Sequence, residues 1–269
     1  MPYGSMMFVI TCLTMFTTLV AAQERIELTA NKPEGVLDLD QIKEGIAGRI
    51  IVYGDVPKLP PLVNKGGQVK GQFCGQNDIP DESFIVSEEG GLANVFVYLK
   101  RIPEGIEIPA NEENRSLHSI DCRYVPHVQV IQTDQQFSLV NTDAIACNFH
   151  IPGFNNAFNL MIPAVQLGED LLEKKIVFQN PERFPIIVQD DIYAWKKALI
   201  LPLDHPFAAV TDKNGNFIIQ GLPPGSYDFT LWHEKIGYLE KKLNIEVRND
   251  EPTSILLSYP SKKFFNAGK

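Results

Sequence analysis

The sequence predicts an all-β protein built as a sandwich or barrel. Short apolar runs rich in Val, Ile, Phe and Tyr, such as 49–53, 94–99, 128–131, 137–140 and 175–178, recur between clusters of Gly, Pro, Asn and Asp. Few stretches keep a 3.6-residue period long enough for a helix; residues 36–46 and 165–174 are the candidates, and both are short. Without strands alternating with long helices, a doubly wound α/β fold is excluded.

At the N-terminus, residues 1–22 contain no Asp, Glu, Lys or Arg, and 6–21 form an apolar run. Val20-Ala21-Ala22 supplies small residues before Gln23. This is the pattern of a secretory signal peptide cleaved after Ala22, and the run is shorter than the roughly 20 residues of a comfortable membrane span. Because the first residues carry only the α-amino charge, an uncleaved N-terminal anchor is the alternative. Cys12 lies in the run without a lipobox. The rest is long enough for one large or two small domains, with 23–45 as an N-terminal extension and no further membrane span. A net charge of −9 argues against nucleic acid or anionic lipid as a partner.

Export places Cys74, Cys122 and Cys147 in an oxidising compartment, where two of the three pair. Cys74 and Cys122 both lie in turn-rich stretches, whereas Cys147 lies in a strand-like run. The expected disulfide is therefore Cys74–Cys122, with Cys147 a free thiol.

Towards the C-terminus, 207–211 runs into Asp212-Lys213-Asn214-Gly215 and 216–219 leads away, which reads as a hairpin. Leu222-Pro223-Pro224-Gly225 then turns into 227–232, whose apolar and polar side chains alternate. Residues 243–247 and 254–258 close the sheet, and 262–265 is expected to be a loose end.

Two family resemblances rest on quoted stretches. Thr211-Asp212-Lys213-Asn214-Gly215-Asn216-Phe217 followed by Gly221-Leu222-Pro223-Pro224-Gly225-Ser226-Tyr227 resembles the signature of carboxypeptidase-regulatory-like domains, which are prealbumin-like, carbohydrate-binding-like sandwiches. Segments 48–52 and 92–99 resemble the first strands of that sandwich. The stretches 90–99, 122–128, 141–143 with 147–150, 204–212 and 232–234 resemble secreted cupredoxin proteins of the methylamine-utilisation-like or plastocyanin-like type. These resemblances imply a cupredoxin-like Greek-key sandwich at 117–203 inserted into a regulatory-like sandwich formed by 46–116 and 204–260. A simple tandem order is the alternative.

Blue copper requires two imidazoles, a thiolate and a weak axial ligand. The resembling family supplies them from H-N-x-H and C-x-x-H-x-W-M. Aligned on Trp195, this chain has Asp190 for Cys, Tyr193 for His and Lys196 for Met, while Cys147-Asn148 stands for His-Asn. The resemblance thus implies four degenerate ligand positions, Cys147, Asp190, Tyr193 and Lys196, with no copper and no other cofactor. Cys147, His150 and Asp190 remain as possible ligands for a different metal. Otherwise Asp190 and Lys196 pair or face solvent, and Cys147 acts as a small core hydrophobe.

His205 and His233, each beside a carboxylate (Asp204 and Glu234), are read either as a shared site or as polar contacts at the junction of the two domains. His127 reads as a structural imidazole and His118 as a loop residue. Asn114-Arg115-Ser116 matches a glycosylation sequon, and Ser83 reads as a turn residue. No nucleophile elbow, phosphate loop or zinc-protease motif is present, so the chain is expected not to be an enzyme. The expectation is an exported binding or scaffold protein for an envelope protein or glycan. An electron-transfer cupredoxin and a carbohydrate-binding module are the alternatives.

Overall fold

The computed structural model describes residues 45–67, 73–108, 114–165, 171–248 and 253–265, so the signal-peptide reading and most of the 36–46 helix lie outside the described residues. Apolar runs of period 2 become strands that share two cores.

The first sandwich uses both ends of the described chain. Strand β1 (Gly45–Tyr53) lies between β13 (Asn216–Gln220), antiparallel to it, and β16 (Thr253–Pro260), parallel to it. The facing sheet runs β12 (Ala208–Val210), β2 (Phe96–Leu99), β14 (Gly225–His233), β15 (Gly237–Val247). Ile46, Ile50, Val95, Val97, Phe217 and Phe229 fill the space between the sheets.

Between β2 and β12 the chain leaves to build a second sandwich. One sheet runs β4 (Arg123–Val125), β3 (Arg115–Ile120), β6 (Gln136–Asn141), β9 (Leu172–Val177). The other runs β5 (Val128–Gln132), β11 (Lys197–Leu203), β10 (Ile186–Gln189), β7 (Cys147–Pro152), β8 (Ala157–Ile162). Their core contains Leu117, Leu139, Phe149, Ile151, Ala198 and Ile200. The chain is therefore an all-β protein with sandwich architecture.

The two sandwiches share a wall. In β11, Ala198 and Ile200 face the second core, while Leu199, Leu201 and Leu203 face Phe96 and Tyr98 of β2. Strand β2 alternates the same way, with Val97 and Leu99 entering the first core. A strand buried on both faces reads as an unbroken apolar run, and both segments do.

Several expectations are corrected. The Asp212–Gly215 turn forms, with Asp212 Oδ1 accepting from Asn214 N and Asn216 N at 2.8 Å each. Yet β12 pairs with β2 and β13 with β1, so the turn crosses between sheets rather than closing a hairpin. Gly215 has φ +78, and a Cβ there would stand 2.2 Å from the Ile50 carbonyl oxygen, so β1 approaches the turn closely because it is glycine. The segments expected to close one sheet likewise flank different sheets, β15 beside β14 and β16 beside β1. Within 165–174, Leu172–Lys174 are strand, paired with β6. Residues 45–46 begin β1. The expected loose end is a short helix, α1 (Lys262–Phe265), whose Phe264 packs into the first core against Phe84. No helix among the described residues is long and apolar enough to cross a membrane.

The disulfide joins Cys74 to Cys122, with Cys147 free and buried, as the turn contexts indicated. It ties the long β1–β2 connection to the β3–β4 turn, and Val63, Ile79 and Trp195 pack around it. The bond spans 48 residues. Replacing Cys74 and Cys122 together by Ser should lower unfolding stability by about 4 kcal/mol through regained loop entropy, measured as a shift of the denaturant midpoint.

Candidate functional site

One end of the second sandwich gathers four of the residues singled out from sequence. The loop from Asp190 to Lys196 joins β10 to β11 and is closed by its own backbone, with Lys196 N donating to Tyr193 O at 2.8 Å and Asp190 N to Lys196 O at 3.2 Å. The buried Asp190 carboxylate holds it. Oδ1 accepts from Ile192 N (2.8 Å) and Tyr193 N (3.0 Å). Oδ2 accepts from Asn148 N on β7 (2.9 Å) and lies 3.4 Å from the Tyr124 hydroxyl, whose proton goes to Asn148 O at 2.7 Å. Three backbone donors on two oxygens, with the hydroxyl against them, leave this buried carboxylate little capacity for another partner.

Lys196 points inward, and its side chain is 0% exposed. Its Nζ donates to Ser119 Oγ at 2.8 Å and to Asp143 Oδ2 at 3.2 Å, and it lies 5.2 Å from the Tyr193 ring centroid and 5.9 Å from that of Tyr124. Asp143 also accepts from Ser119 Oγ (2.6 Å) and Cys122 N. The ammonium is thus paired, hydrogen-bonded and flanked by two aromatic faces, the conditions under which a charge survives burial. This corrects the expectation that Lys196 pairs with Asp190 or faces solvent: its partner is Asp143, and Asp190 serves the loop backbone. Cys147 sits beside this centre on β7. Burial pushes its thiol up to about 12, a rise that the nearby Lys196 and Ser119 only partly offset, so the sulfur is protonated at neutral pH.

The residues do not fit a copper ion. The Asp190 oxygens are engaged, and a fixed ammonium stands among the side chains that would surround a cation. His150 does not join Cys147 and Asp190; it lies half-buried with Nδ1 2.9 Å from Asp191 Oδ1. Among the described residues no three His, Cys, Asp or Glu side chains converge as a metal site.

The remaining histidines divide differently from the sequence reading. His205 Nε2 donates to Leu99 O at 3.1 Å, and its Nδ1 accepts from Phe207 N. His233 is fully buried between the rings of Phe84 and Phe264; its Nδ1 accepts from Lys235 N, and its Nε2 faces the Ala93 carbonyl without a well-formed hydrogen bond. Both therefore bond within the first sandwich rather than across the junction. Burial lowers the pKa of each, His233 to about 4, so both are neutral. His118 is not in a loop but on β3, with Nε2 2.8 Å from Ser116 Oγ.

The junction contact belongs to His127. Nε2 lies 2.6 Å from Glu234 Oε2 of the first sandwich, and Nδ1 lies 3.2 Å from the Lys197 carbonyl of the second. Both partners accept, so both ring nitrogens carry protons. They border a cleft of about 240 Å³ that also contains Ser83, Glu82, Arg123 and Trp195. Both imidazole nitrogens of His127 are engaged, and the Ser83 N–H closes a turn on Asp81. Trp195 Nε1 donates to Cys122 O at 3.2 Å, which fixes the indole between the disulfide and the Tyr193 ring.

Sequence reasoning missed Ser119, Tyr124 and Asp143 as partners of the site. A signal was present in the period of 2: Lys196 shares the inward register of Ala198 and Ile200, Ser119 that of Leu117, and Asp143 that of Phe137 and Leu139.

No protein family model matches this chain, and no curated protein is similar to it. Parts of it are similar to solved cupredoxin structures. A copper-containing nitrite reductase from Thermus scotoductus is 14% identical over 38% of this chain and 25% of its own, with a TM-score of 0.28. Amicyanin from Paracoccus versutus is 11% identical over 46% of this chain and all of its own, TM-score 0.28, and a purple cupredoxin from Nitrosopumilus maritimus 12% over 34% and all of its own, TM-score 0.27. The chain spans about a quarter of the nitrite reductase.

Two outcomes test this geometry. Lys196→Met leaves Asp143 buried without its cation and should destabilise the protein by about 3 kcal/mol, read from chemical unfolding. The His127 pKa is raised: burial lowers it, but the Glu234 carboxylate, with Glu82 and the Lys197 carbonyl, outweighs that. Its stabilisation is therefore full below 6.5 and lost as pH rises through the raised value. The melting-temperature gap between wild type and Glu234→Gln should be largest near pH 6 and should close in alkaline buffer. Comparison with the variant cancels the opposite effect of the neutral His205, which acts below 6.5.

Proposed function

We propose that this chain is an exported, non-catalytic binding or scaffold protein in which a cupredoxin-like frame persists without copper, serving an envelope protein or glycan. The observation that carries the reading is the buried Lys196–Asp143 pair, with Nζ 3.2 Å from Oδ2, on the loop where the resembling family keeps its metal ligands. An ammonium held at this position repels an incoming metal ion. A soft-ligand redox site also needs a thiolate, and at the position where the resembling family keeps its Cys this chain has Asp190, whose oxygens serve the loop backbone. Access argues the same way, because the arm that carries Cys74 packs with Ile79 and Val63 over Trp195 at this end of the sandwich. The apolar leader and the disulfide support export, since structural disulfides persist in oxidising compartments.

Titration of the purified protein with Cu(II), followed by visible spectroscopy and metal analysis after desalting, tests the proposal. The expected result is no thiolate-to-copper charge-transfer band and no retained copper. An intense visible band at one equivalent would establish an electron-transfer site instead.

A further inference from the structure

From Ala144 to Gly168 the sequence has no Asp, Glu, Lys or Arg, in a chain whose net charge is −9. This uncharged stretch contains the β7–β8 hairpin, and β8 ends its sheet. Among the described residues only β7 pairs with it, in unbroken register from Ala157 to Ile162. Proteins blunt exposed edges with charges, prolines or bulges, and β8 has none of these. Strands β4, β9 and β15, which also end sheets, carry Arg123, Lys174 and Lys241 respectively, whereas β5 and β13, end strands without charge, both lie against β12, itself an uncharged end strand.

Apart from Asn159 and the buried Ile162, the side chains of β8 are apolar and incompletely covered. Met161 is 49% exposed, and Phe158 and Leu160 only partly enter the second core. At the hairpin tip Phe154 is 88% exposed. Its turn is nevertheless rigid, because Glu182 Oε1 accepts from Asn155 N (2.7 Å), Asn156 N (3.0 Å) and Asn156 Nδ2 (3.1 Å). A Cβ on Gly153 would stand 2.3 Å from the Asn156 carbonyl oxygen, so glycine is required to close it.

We infer that β8 is the interface between two copies of this chain, paired antiparallel across a two-fold axis through Asn159. In that register Ala157 lies opposite Met161 of the second copy, Phe158 opposite its Leu160, and Phe154 opposite its Ala164. The pairing joins two five-stranded sheets into one and covers the open flank of each core. Charge selects this occupant: two molecules of net −9 repel each other least where they meet through an uncharged face. A two-fold contact is also self-complementary, so one edge strand serves both copies.

Sedimentation velocity of the full protein over a wide concentration range should show a monomer–dimer equilibrium. Ala157→Lys with Met161→Lys, both at exposed positions, places like charges directly opposite one another. It should raise the dimer dissociation constant at least about tenfold without altering the circular dichroism spectrum. Independently, Asn159→Cys should form an intermolecular disulfide on oxidation, because directly opposed strand residues lie within disulfide reach. A protein that stays monomeric throughout overturns the inference. So does a dimer that tolerates both lysines and gives no Asn159→Cys cross-link, since its interface must lie elsewhere.

Discussion

The architecture depends on two strands that are buried on both faces. Strand β2 supplies Val97 and Leu99 to one core and Phe96 and Tyr98 to the seam, while β11 supplies Ala198 and Ile200 to the other core and Leu199, Leu201 and Leu203 to the same seam. Neither strand has a polar face to give to water, so neither sandwich can be solvated there without the other. The relative placement of the two bodies follows from this wall. His127 with Glu234, and the Cys74–Cys122 bond, then fasten its margin. The hydrophobic wall supplies the driving force, and the charged and covalent contacts fix orientation.

The same wall explains why the end of the second sandwich is closed. Once β11 is held on both faces, the loop that precedes it has little freedom, and Lys196, one residue before the strand, must take the inward register. An inward ammonium is tolerable only with a full set of partners. Asp143 and Ser119 meet it from the ends of two other strands, and the aromatic faces of Tyr124 and Tyr193 cover the rest. The frame thus carries its own positive charge, covalently attached and independent of metal supply.

Much of the fold was legible because strand periodicity is local. The runs at 49–53 and 94–99 read as strands and lie in β1 and β2, and the turn chemistry around Cys74 and Cys122 marked the pair that bonds. What failed depended on long-range pairing. Asp212–Gly215 looks like a hairpin turn because its local chemistry is that of one, and only β1, distant in sequence, draws β13 into the other sheet. Residues 172–174 look helical in isolation but pair with β6. Of the site, the changed positions Asp190, Tyr193 and Lys196 could be listed from sequence, yet their roles could not, because Asp143 lies 53 residues from Lys196. His127 reads from sequence as a structural imidazole, which its two hydrogen bonds bear out, but its partner could not be named because the carboxylate is 107 residues away.

The route of the chain through the seam has one more consequence. It leaves the first sandwich after Leu99 and re-enters at Phe207, and these two residues touch, Leu99 N donating to Phe207 O at 3.2 Å. The whole second sandwich therefore hangs from the first by a closed neck, as a bead on a loop. For the first sandwich, the chain behaves as though a short surface connection had been opened and a second folding unit spliced into it, which compact domains tolerate when the splice ends lie side by side. The neck leaves the inserted unit free to diverge in sequence without disturbing its host, except along the strip of Phe96 and Tyr98 and at Cys122 and His127, where the two must still fit.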